Sequence, residues 1–320
     1  MLLMTKSCLV VGGAGFIGSH LCDHLIDHDC QVHCLDNLHL GTKENIRHLL
    51  DHNHFAFHHV DACDEDALDR IFSTHHIDTV FHMAANSDIQ KGAENIAIDL
   101  ELTFNTTIHL LNVMKHHHVP EIIFASSSAI YGQSDDPLSE SSAPNFPQSF
   151  YGAAKLASEA FISAFCDQYP LRAWMVRFPN VIGERLTHGV IFDFIKKLKS
   201  SPNELVILGN GKQKKPYIYV KDLIDGIMTF YNNARTNRAV INIGVDTQTT
   251  VDEIADMVIQ EMGLEDVKKT YTGGAQGWVG DVPEFQYDLT HIHALGWRAL
   301  KRSSEAVRHT IQAELKNSHA

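Results

Sequence analysis

Tyr151-Gly-Ala-Ala-Lys155 sets a phenol and an amine four residues apart. On a helix, that spacing makes the two side chains neighbours, about 6 Å apart at their Cβ atoms. An ammonium so placed favours the phenolate and lowers the phenol pKa from about 10 toward neutrality, and a phenolate at physiological pH is a general base. The letters alone are nonspecific, because Tyr217-Ile-Tyr-Val-Lys221 repeats them. That second copy follows Pro216 in an alternating, strand-like stretch, where residues four apart are separated by about 13 Å. The flanks of the first copy are helical, so the chemistry is assigned to Tyr151 and Lys155. Just upstream, an apolar run ends in Ser126-Ser127-Ser128, whose hydroxyls could hydrogen-bond a substrate oxygen and relay its proton. A serine-rich turn satisfying its own backbone is the alternative reading of that segment.

A base of this kind needs a redox partner, and the amino-terminal segment Val11-Gly-Gly-Ala-Gly-Phe-Ile-Gly18 supplies a place for one. Gly12, Gly15 and Gly18 follow an apolar strand and precede a helix, the context of a dinucleotide turn: tight, open to a pyrophosphate, and close-packed on the strand. Phe16 and Ile17 open that helix. Asp36 ends the second strand and can accept hydrogen bonds from an adenosine ribose. Its carboxylate would repel a 2′-phosphate, and no arginine follows it, so NAD is expected rather than NADP. Asn37 adjoins it, Asp61 and Ala62 end the third strand near the expected adenine, and Met83, Ala84 and Ala85 end the fourth where the cofactor backbone passes. With Tyr151 and Lys155 these form the expected cofactor set.

The elements that must carry these residues alternate. Strand-like runs at Ser7–Val11, Gln31–Leu35, Phe55–Val60, Thr79–Met83, Glu121–Ala125 and Arg172–Phe178 are separated by amphipathic helical patterns such as Ser19–Asp27, Asp64–Ser73, Thr103–His116 and Tyr151–Asp167. This predicts an α/β fold with a Rossmann-type, doubly wound parallel sheet. After Phe178 the rhythm breaks at Pro179, Gly183, Pro202, Gly209 and Gly211, which marks a smaller carboxy-terminal α/β region. Residues 1–178 are read as the NAD-binding domain, to which the chain returns at about 217–246. Residues 179–216 and 247–320 are read as the smaller, substrate-binding region.

Composition removes several function classes. The 320 residues carry a formal net charge of -13, which disfavours nucleic acid and anionic membranes as partners. Lys196, Lys197, Lys199, Lys212, Lys214 and Lys215 concentrate positive charge that could meet a small polyanion such as a diphosphate, or simply form a solvated face. The six cysteines show no C-x-x-C pair and most fall in apolar segments, which suits a reducing, cytoplasmic setting. Met1–Met4 is too short for a secretory leader, and no apolar run is long enough to span a bilayer. Among 22 histidines, His20, His24 and His28 share a helix face, but no carboxylate or cysteine completes a ligand set, and no metal is expected.

Taken in order and spacing, Gly-x-x-Gly-x-x-Gly, the aspartate after strand two, Ser-Ser-x-x-Tyr-Gly at Ser127–Gly132 and Tyr-x-x-x-Lys resemble the extended short-chain dehydrogenase/reductase family. Within it the chain is similar to the nucleotide-sugar epimerases and dehydratases, particularly the UDP-glucose 4-epimerase type. Arg177-Phe178-Pro179-Asn180, Gly209-Asn210-Gly211-Lys212-Gln213, Val220-Lys221-Asp222, Asn242-Ile243-Gly244 and Leu295-Gly296-Trp297 extend the likeness over nearly the whole chain. The resemblance implies Ser127 as the catalytic hydroxyl beside Tyr151 and Lys155, with Ser127, Ser128, Tyr151 and Asn180 at the substrate. It implies a nucleotide-diphosphate sugar epimerised at C4 through a transient keto sugar, with hydride passing to NAD and back, and a homodimer formed through Thr103–His116 and Tyr151–Asp167.

Departures from the pattern bear on the reaction. Dehydratases of the family carry an Asp-Glu pair after the catalytic residue, where this chain has Ser128 and Ala129, and the decarboxylases expect a glutamate that is also missing. The family's diphosphate-gripping arginine is replaced by Lys215 and the following aspartate by Pro216, and the late Arg-x-Gly-Asp reads Trp278-Val279-Gly280-Asp281. Lysine is a point charge without the bidentate fork of arginine. Thr103 stands where the family usually has asparagine. A dehydratase or reductase on the same scaffold, and a non-catalytic NAD-binding regulatory subunit, are the competing readings.

Overall fold

The computed structural model describes residues 6–277 and 282–317. Its central feature is a seven-stranded sheet. The first six strands are β1 (Ser7–Val11), β2 (Gln31–Asp36), β3 (Phe55–His59), β4 (Thr79–His82), β5 (Glu121–Ser127) and β6 (Arg172–Phe178). With Arg238–Asn242 as the seventh, the order across the sheet is Arg238–Asn242, β6, β5, β4, β1, β2, β3. The pairs from β5 through β4, β1 and β2 to β3 are all parallel, with Val11 opposite both Leu35 and His82. Strand order reverses between β1 and β4, the switch point at which such sheets bind ligands beyond their carboxyl ends. β1 is buried at every position, as expected of a central parallel strand covered on both faces.

Helices α1 (Phe16–Asp27) and α2 (Glu65–Thr74), with Thr106–His116 and Phe150–Gln168, run between these strands. Asp64 caps α2 by accepting the Ala67 N–H at 2.9 Å, and Glu65 and Asp66 add negative charge to its first turn. Ser149 caps Phe150–Gln168 through the Gly152 N–H at 3.1 Å, which fixes where the helix bearing Tyr151 begins. Leu9, Val11, Leu35, Leu68, Phe72, Leu110, Met114, Phe124 and Ile162 bury together in one core, joining sheet to helices. Arg177 of β6 makes a buried fork with Glu159, Nε to Oε1 at 2.9 Å and Nη2 to Oε2 at 2.6 Å, which pins Phe150–Gln168 to the sheet.

The expected helix Thr103–His116 starts differently. Helical chain begins at Ile96, residues Leu100–Asn105 form a π-helical segment, and the α-helix proper opens at Thr106. The Thr106 and Thr107 hydroxyls both donate to the Thr103 carbonyl at 3.1 Å, competing locally with the regular ladder.

The chain forms two compact units. The first comprises the chain up to Ile130, Ser149–Arg177 and Met228–Ile241; the second comprises Tyr131–Gln148, Phe178–Ile227 and the chain from Asn242 onward. Residues 131–148, 217–227 and 242–246, which the sequence rhythm places with the cofactor domain, therefore pack with the second unit. The reason for 131–148 is a buried knot: Tyr131 Oη donates to Asn242 Oδ1 at 2.7 Å, and Asn242 donates from Nδ2 to Leu138 O at 2.9 Å and from its backbone to Glu140 Oε1 at 2.8 Å. Among its described residues the second unit holds three small strand pairs. Asn180–Ile182 runs parallel to Tyr217–Tyr219, Lys214–Lys215 antiparallel to Thr249–Thr250, and Glu204–Ile207 parallel to Lys268–Tyr271. Thr250 and Glu253 form a reciprocal capping box at the start of Val251–Glu261. Among the described residues no helix is long and apolar enough to cross a membrane.

Candidate active site

At the carboxyl end of β1 the backbone N–H groups of Gly12 and Gly13 both donate to Leu35 O, at 2.8 and 3.2 Å, and fold the chain over the strand end. Gly12 has φ +78, and a Cβ there would come within 2.7 Å of the Ala84 nitrogen. At Gly18 a Cβ would sit 2.1 Å from Gly12 O. Both positions therefore exclude any larger residue. Gly15 is different: it is extended, and a Cβ would meet only Gly12 O, at 3.2 Å. Here glycine keeps the surface of the turn bare. Gly15 N-caps α1 with no side-chain acceptor, and the first turn at Phe16 and Ile17 carries no acidic residue. A helix end with uncapped backbone donors and the positive pole of its dipole suits a diphosphate. This cradle fits a dinucleotide such as NAD.

Asp36 is buried at the end of β2, where Oδ2 accepts the Ala14 N–H at 3.0 Å and Oδ1 the Leu38 N–H at 2.8 Å. Burial raises its pKa above the usual carboxylate range, with those backbone donors opposing the shift. A Cβ on Gly41 would lie 2.8 Å from both Asp36 oxygens, so glycine lets that loop lie against the carboxylate. Asn37 Nδ2 donates to Asp61 Oδ2 at 2.8 Å, and Asp61 Oδ1 accepts the Cys63 N–H at 2.8 Å beside buried Ala62. Met83, whose N–H reaches Val11 O at 2.9 Å, continues into partly buried Ala84 and Ala85 beside the glycine turn.

The expected Ser-Tyr-Lys set gathers on β5 and on Phe150–Gln168. Ser127 hydrogen-bonds Tyr151, and its Oγ also accepts the Ala129 N–H at 3.1 Å. Ser128 follows in a 3-10 turn, Ser128–Ile130. Lys155 is 1% exposed; its Nζ donates to Ala125 O at 2.6 Å and stands 4.5 Å from the Phe124 ring centroid and 6.0 Å from that of Tyr151. The expectation that Lys155 lowers the phenol pKa is not met. Crowding of the phenol by protein pushes Tyr151 up to about 12, against the lowering hydrogen bond from Ser127, and the Asp99 carboxylate adds to the rise. Burial pushes Lys155 down to about 7, with Glu159 opposing. Desolvation dominates both shifts, and the amine spends its hydrogen bond on the Ala125 carbonyl rather than on the phenol.

A buried polar cluster beside the phenol was not legible from spacing. The Asn86 N–H donates to Thr103 Oγ1 at 3.0 Å and Asn86 Nδ2 to Asp99 Oδ1 at 2.8 Å, while Gly92 packs where a Cβ would stand 2.0 Å from Asp99 Oδ2. Thr103 thus holds the segment after β4 with a hydroxyl, at the position where asparagine is usual for the resemblance. The π-helical segment sets this geometry, and nothing in the letters announces it. His82, at the end of β4, is fully buried, bonds Thr107 Oγ1 at 3.0 Å, and is driven down to about 3 by burial and by the charge of Lys155.

The remaining expected site residues belong to the second unit. Asn180 is exposed on Asn180–Ile182, and Lys215 is buried on Lys214–Lys215. Of the lysine-rich stretch, Lys197 is engaged by Asp193 at 2.7 Å and by Val206 O at 3.1 Å, and Lys196 and Lys199 lie exposed on the helix Val190–Ser200. Trp278–Asp281 lies outside the described residues. The second Tyr-x-x-x-Lys copy runs from a strand, Tyr217–Tyr219, into a helix that starts at Val220, with Tyr217 buried and Lys221 exposed. His24 and His28 stack at 4.1 Å and His20 meets Phe16 edge-on.

Residues 8–244 match the NAD dependent epimerase/dehydratase family. A Methanocaldococcus jannaschii protein provisionally assigned as a UDP-glucose 4-epimerase is 30% identical over 308 residues, 95% of this chain and 96% of that protein. The mouse dTDP-D-glucose 4,6-dehydratase is 27% identical over 322 residues, 98% of this chain and 90% of its own length. Among solved structures, the UDP-glucose 4-epimerase of Thermotoga maritima with UDP-glucose superposes with a TM-score of 0.88 at 30% identity, covering 98% of this chain and all of that one (100%). A Rossmann-type sheet, a bare glycine turn and a Ser-Tyr-Lys set define a dinucleotide-dependent enzyme class. The chain belongs to the NAD-dependent epimerase/dehydratase family, whose cofactor is NAD.

Proposed function

We propose that the protein is a nucleotide-sugar 4-epimerase. The observation that carries this reading is the surroundings of Ser127: it hydrogen-bonds Tyr151 and is followed by Ser128 and Ala129, with no carboxylate from Ser126 to Gln133. Removing water from a sugar needs an acid and a base beyond the oxidising pair, and the positions that carry them in the dehydratase pattern here hold a hydroxyl and a methyl. When bound, NAD supplies the reversible two-electron oxidation of the C4 carbinol. Tyr151 Oη takes the C4 hydroxyl proton and later returns it, and Ser127 Oγ holds the same oxygen by a hydrogen bond. Lys155 provides the compensating positive charge, so the working state pairs phenolate with ammonium. That pair is the reverse of the proton distribution that burial favours, with the phenol pushed up to about 12 and the amine down to about 7.

Gly12, Gly15, Phe16, Ile17 and Gly18 are assigned to the diphosphate of the cofactor. Asp36, Asn37, Asp61 and Ala62 are assigned to its adenosine, and Met83, Ala84 and Ala85 to the path between. Asn180, Ser128 and Lys215 are assigned to the nucleotide sugar. A second copy of the chain is the proposed partner: Ile96, Leu100 and Phe161 are 57%, 50% and 47% exposed on the helical segments around the π turn and on Phe150–Gln168. Phe104 and Phe161 meet edge-on at 5.2 Å on the same surface.

Incubation of purified protein with UDP-, GDP- and dTDP-sugars, following sugar product and absorbance of reduced nicotinamide, tests the reading. An isobaric epimer without net consumption of reduced cofactor is expected. Stoichiometric consumption of reduced cofactor would mark a reductase, and a product lighter by one water a dehydratase.

A further inference from the structure

Away from the Ser-Tyr-Lys set, three imidazoles converge at the outer edge of the sheet. His33 lies on β2 and His58 on β3, the edge strand, and the register sets His33 opposite Ala56 and Leu35 opposite His58. Positions two apart on paired strands share a face, so His33 and His58 project to the same side. His75 arrives from another element: it ends α2, its N–H bonded to Ile71 O at 2.9 Å. Ligand nitrogens of the three rings all lie within 4.8 Å of one another, and His33 Nδ1 is 3.1 Å from His58 Nε2. Ring centroids are 5.4 Å apart for His33 and His58, 4.4 Å for His33 and His75, and 5.4 Å for His58 and His75.

Two nitrogens on one tetrahedral zinc, each about 2.0–2.1 Å from the metal, are about 3.4 Å apart. The His33–His58 pair, at 3.1 Å, is within about 0.3 Å of that separation, and the third ring's nitrogen lies within 4.8 Å of both. A bare His33–His58 hydrogen bond would account for two of the rings and leave the third unexplained. Among the described residues no carboxylate figures among the charges acting on His33 or His58. Neutral imidazole is the form that ligates metal. An all-imidazole donor set selects borderline transition metals over magnesium or calcium. Among the described residues the other such grouping, Asp69 with His116 and His117, shares one carboxylate oxygen at an exposed surface and reads as ion pairing.

We propose that His33, His58 and His75 bind one divalent transition-metal ion, zinc above all, which clamps the edge strand β3 and the end of α2 to β2. Solvent completes the coordination, since His58 and His75 are only partly buried. The clamp is structural: β3 lies four strands from β5 in the sheet order, about 19 Å at ordinary strand spacing.

The test uses protein without a polyhistidine tag, stripped by a chelator and titrated with zinc against a chromophoric competitor, with cobalt as a spectroscopic probe. Wild type is compared with His58→Asn, with His75→Asn, and with a control lacking His116 and His117 (both to Asn). Wild type and control are expected to take up one tightly held zinc, show tetrahedral cobalt absorption, and gain a few degrees in Tm on loading. His58→Asn and His75→Asn should bind at least 10-fold more weakly and lose that gain. The stripped-versus-loaded Tm of wild type needs no substitution, so a variant that folds poorly does not cloud the result. Zinc uptake equal in wild type and the two variants, uptake lost only in the control, or no uptake by wild type would overturn the proposal.

Discussion

Tyr151–Lys155 and Tyr217–Lys221 carry the same residue types at the same spacing and end in opposite surroundings. In the first, both residues lie on one helical turn, the lysine is buried against Ala125 O and Phe124, and the tyrosine hydrogen-bonds a serine at a strand end. In the second, the tyrosine is on a strand and the lysine on a helix that begins between them, with its amine in solvent. The chemistry lies in the burial rather than in the letters. A buried lysine becomes a group whose charge can be moved by what binds next to it.

The sharpest way to break this contrast is to remove the base. Tyr151→Phe should lower kcat by about 10³-fold or more, within the range for loss of a general base, while Lys221→Met stays within about twofold of wild type. Steady-state turnover of both variants with the best sugar nucleotide decides it; a Tyr151→Phe enzyme of near-normal activity would remove the phenol from the mechanism.

Next in size is the support beneath the helix. Glu159→Gln leaves the Arg177 guanidinium buried without its countercharge and should cost about 3–5 kcal/mol in urea unfolding, the range for breaking one side of a buried ion pair. The same change at an exposed acid such as Glu44, 3.6 Å from Arg47, should cost less than about 1 kcal/mol.

Lys155→Met should reduce kcat/KM by about 10²-fold near neutral pH and change its pH profile. In wild type the phenolate–ammonium microstate grows about tenfold per pH unit up to the lower pKa, about 7, and is then level toward the upper one, about 12. Without the amine the level region disappears and kcat/KM keeps rising beyond pH 9. A plateau retained in Lys155→Met would show that another group supplies the charge.

The smallest effect is on acid stability. His82 in the folded protein titrates near 3, far below the unfolded value of about 6.5. Below pH 6.5 the unfolded chain therefore gains a proton that the folded chain refuses, so stability falls as pH drops from 6.5 toward 3. At pH 5 this amounts to about 2 kcal/mol for this residue. His82→Gln keeps a partner for Thr107 without titrating, so its loss of stability between pH 7 and 5 should be visibly shallower, as measured by denaturant midpoints.

Much of the first unit was legible because its signals are local. β1 and β6 fall on the residues expected, and the other four expected strands agree within two residues at their ends, since apolar runs bounded by turn residues define them without help from the rest of the chain. The glycine turn was legible for the same reason: Gly12 and Gly18 are demanded by contacts within a few residues of the strand end or across one strand pair. The proton distribution of Tyr151 and Lys155 was not, because it depends on how completely other elements enclose them. Nor was the Asn86–Asp99–Thr103 cluster, which depends on a π-helical segment, or the meeting of His33, His58 and His75, whose positions become neighbours only through strand register and the end of a crossover helix. Residues 131–148 changed unit for a similar reason, a hydrogen bond from Tyr131 to a residue 111 positions away.

The most direct test of the central claim follows an isotope. Sugar nucleotide deuterated at C4, such as UDP-glucose labelled there, is turned over to equilibrium and the product analysed by mass and by NMR. Oxidation and re-reduction at one carbon within a closed site predicts an epimer of unchanged mass with deuterium still at C4, formed by wild type and about 10³-fold more slowly by Tyr151→Phe. Deuterium lost to solvent, or a product lighter by one water, would contradict the account.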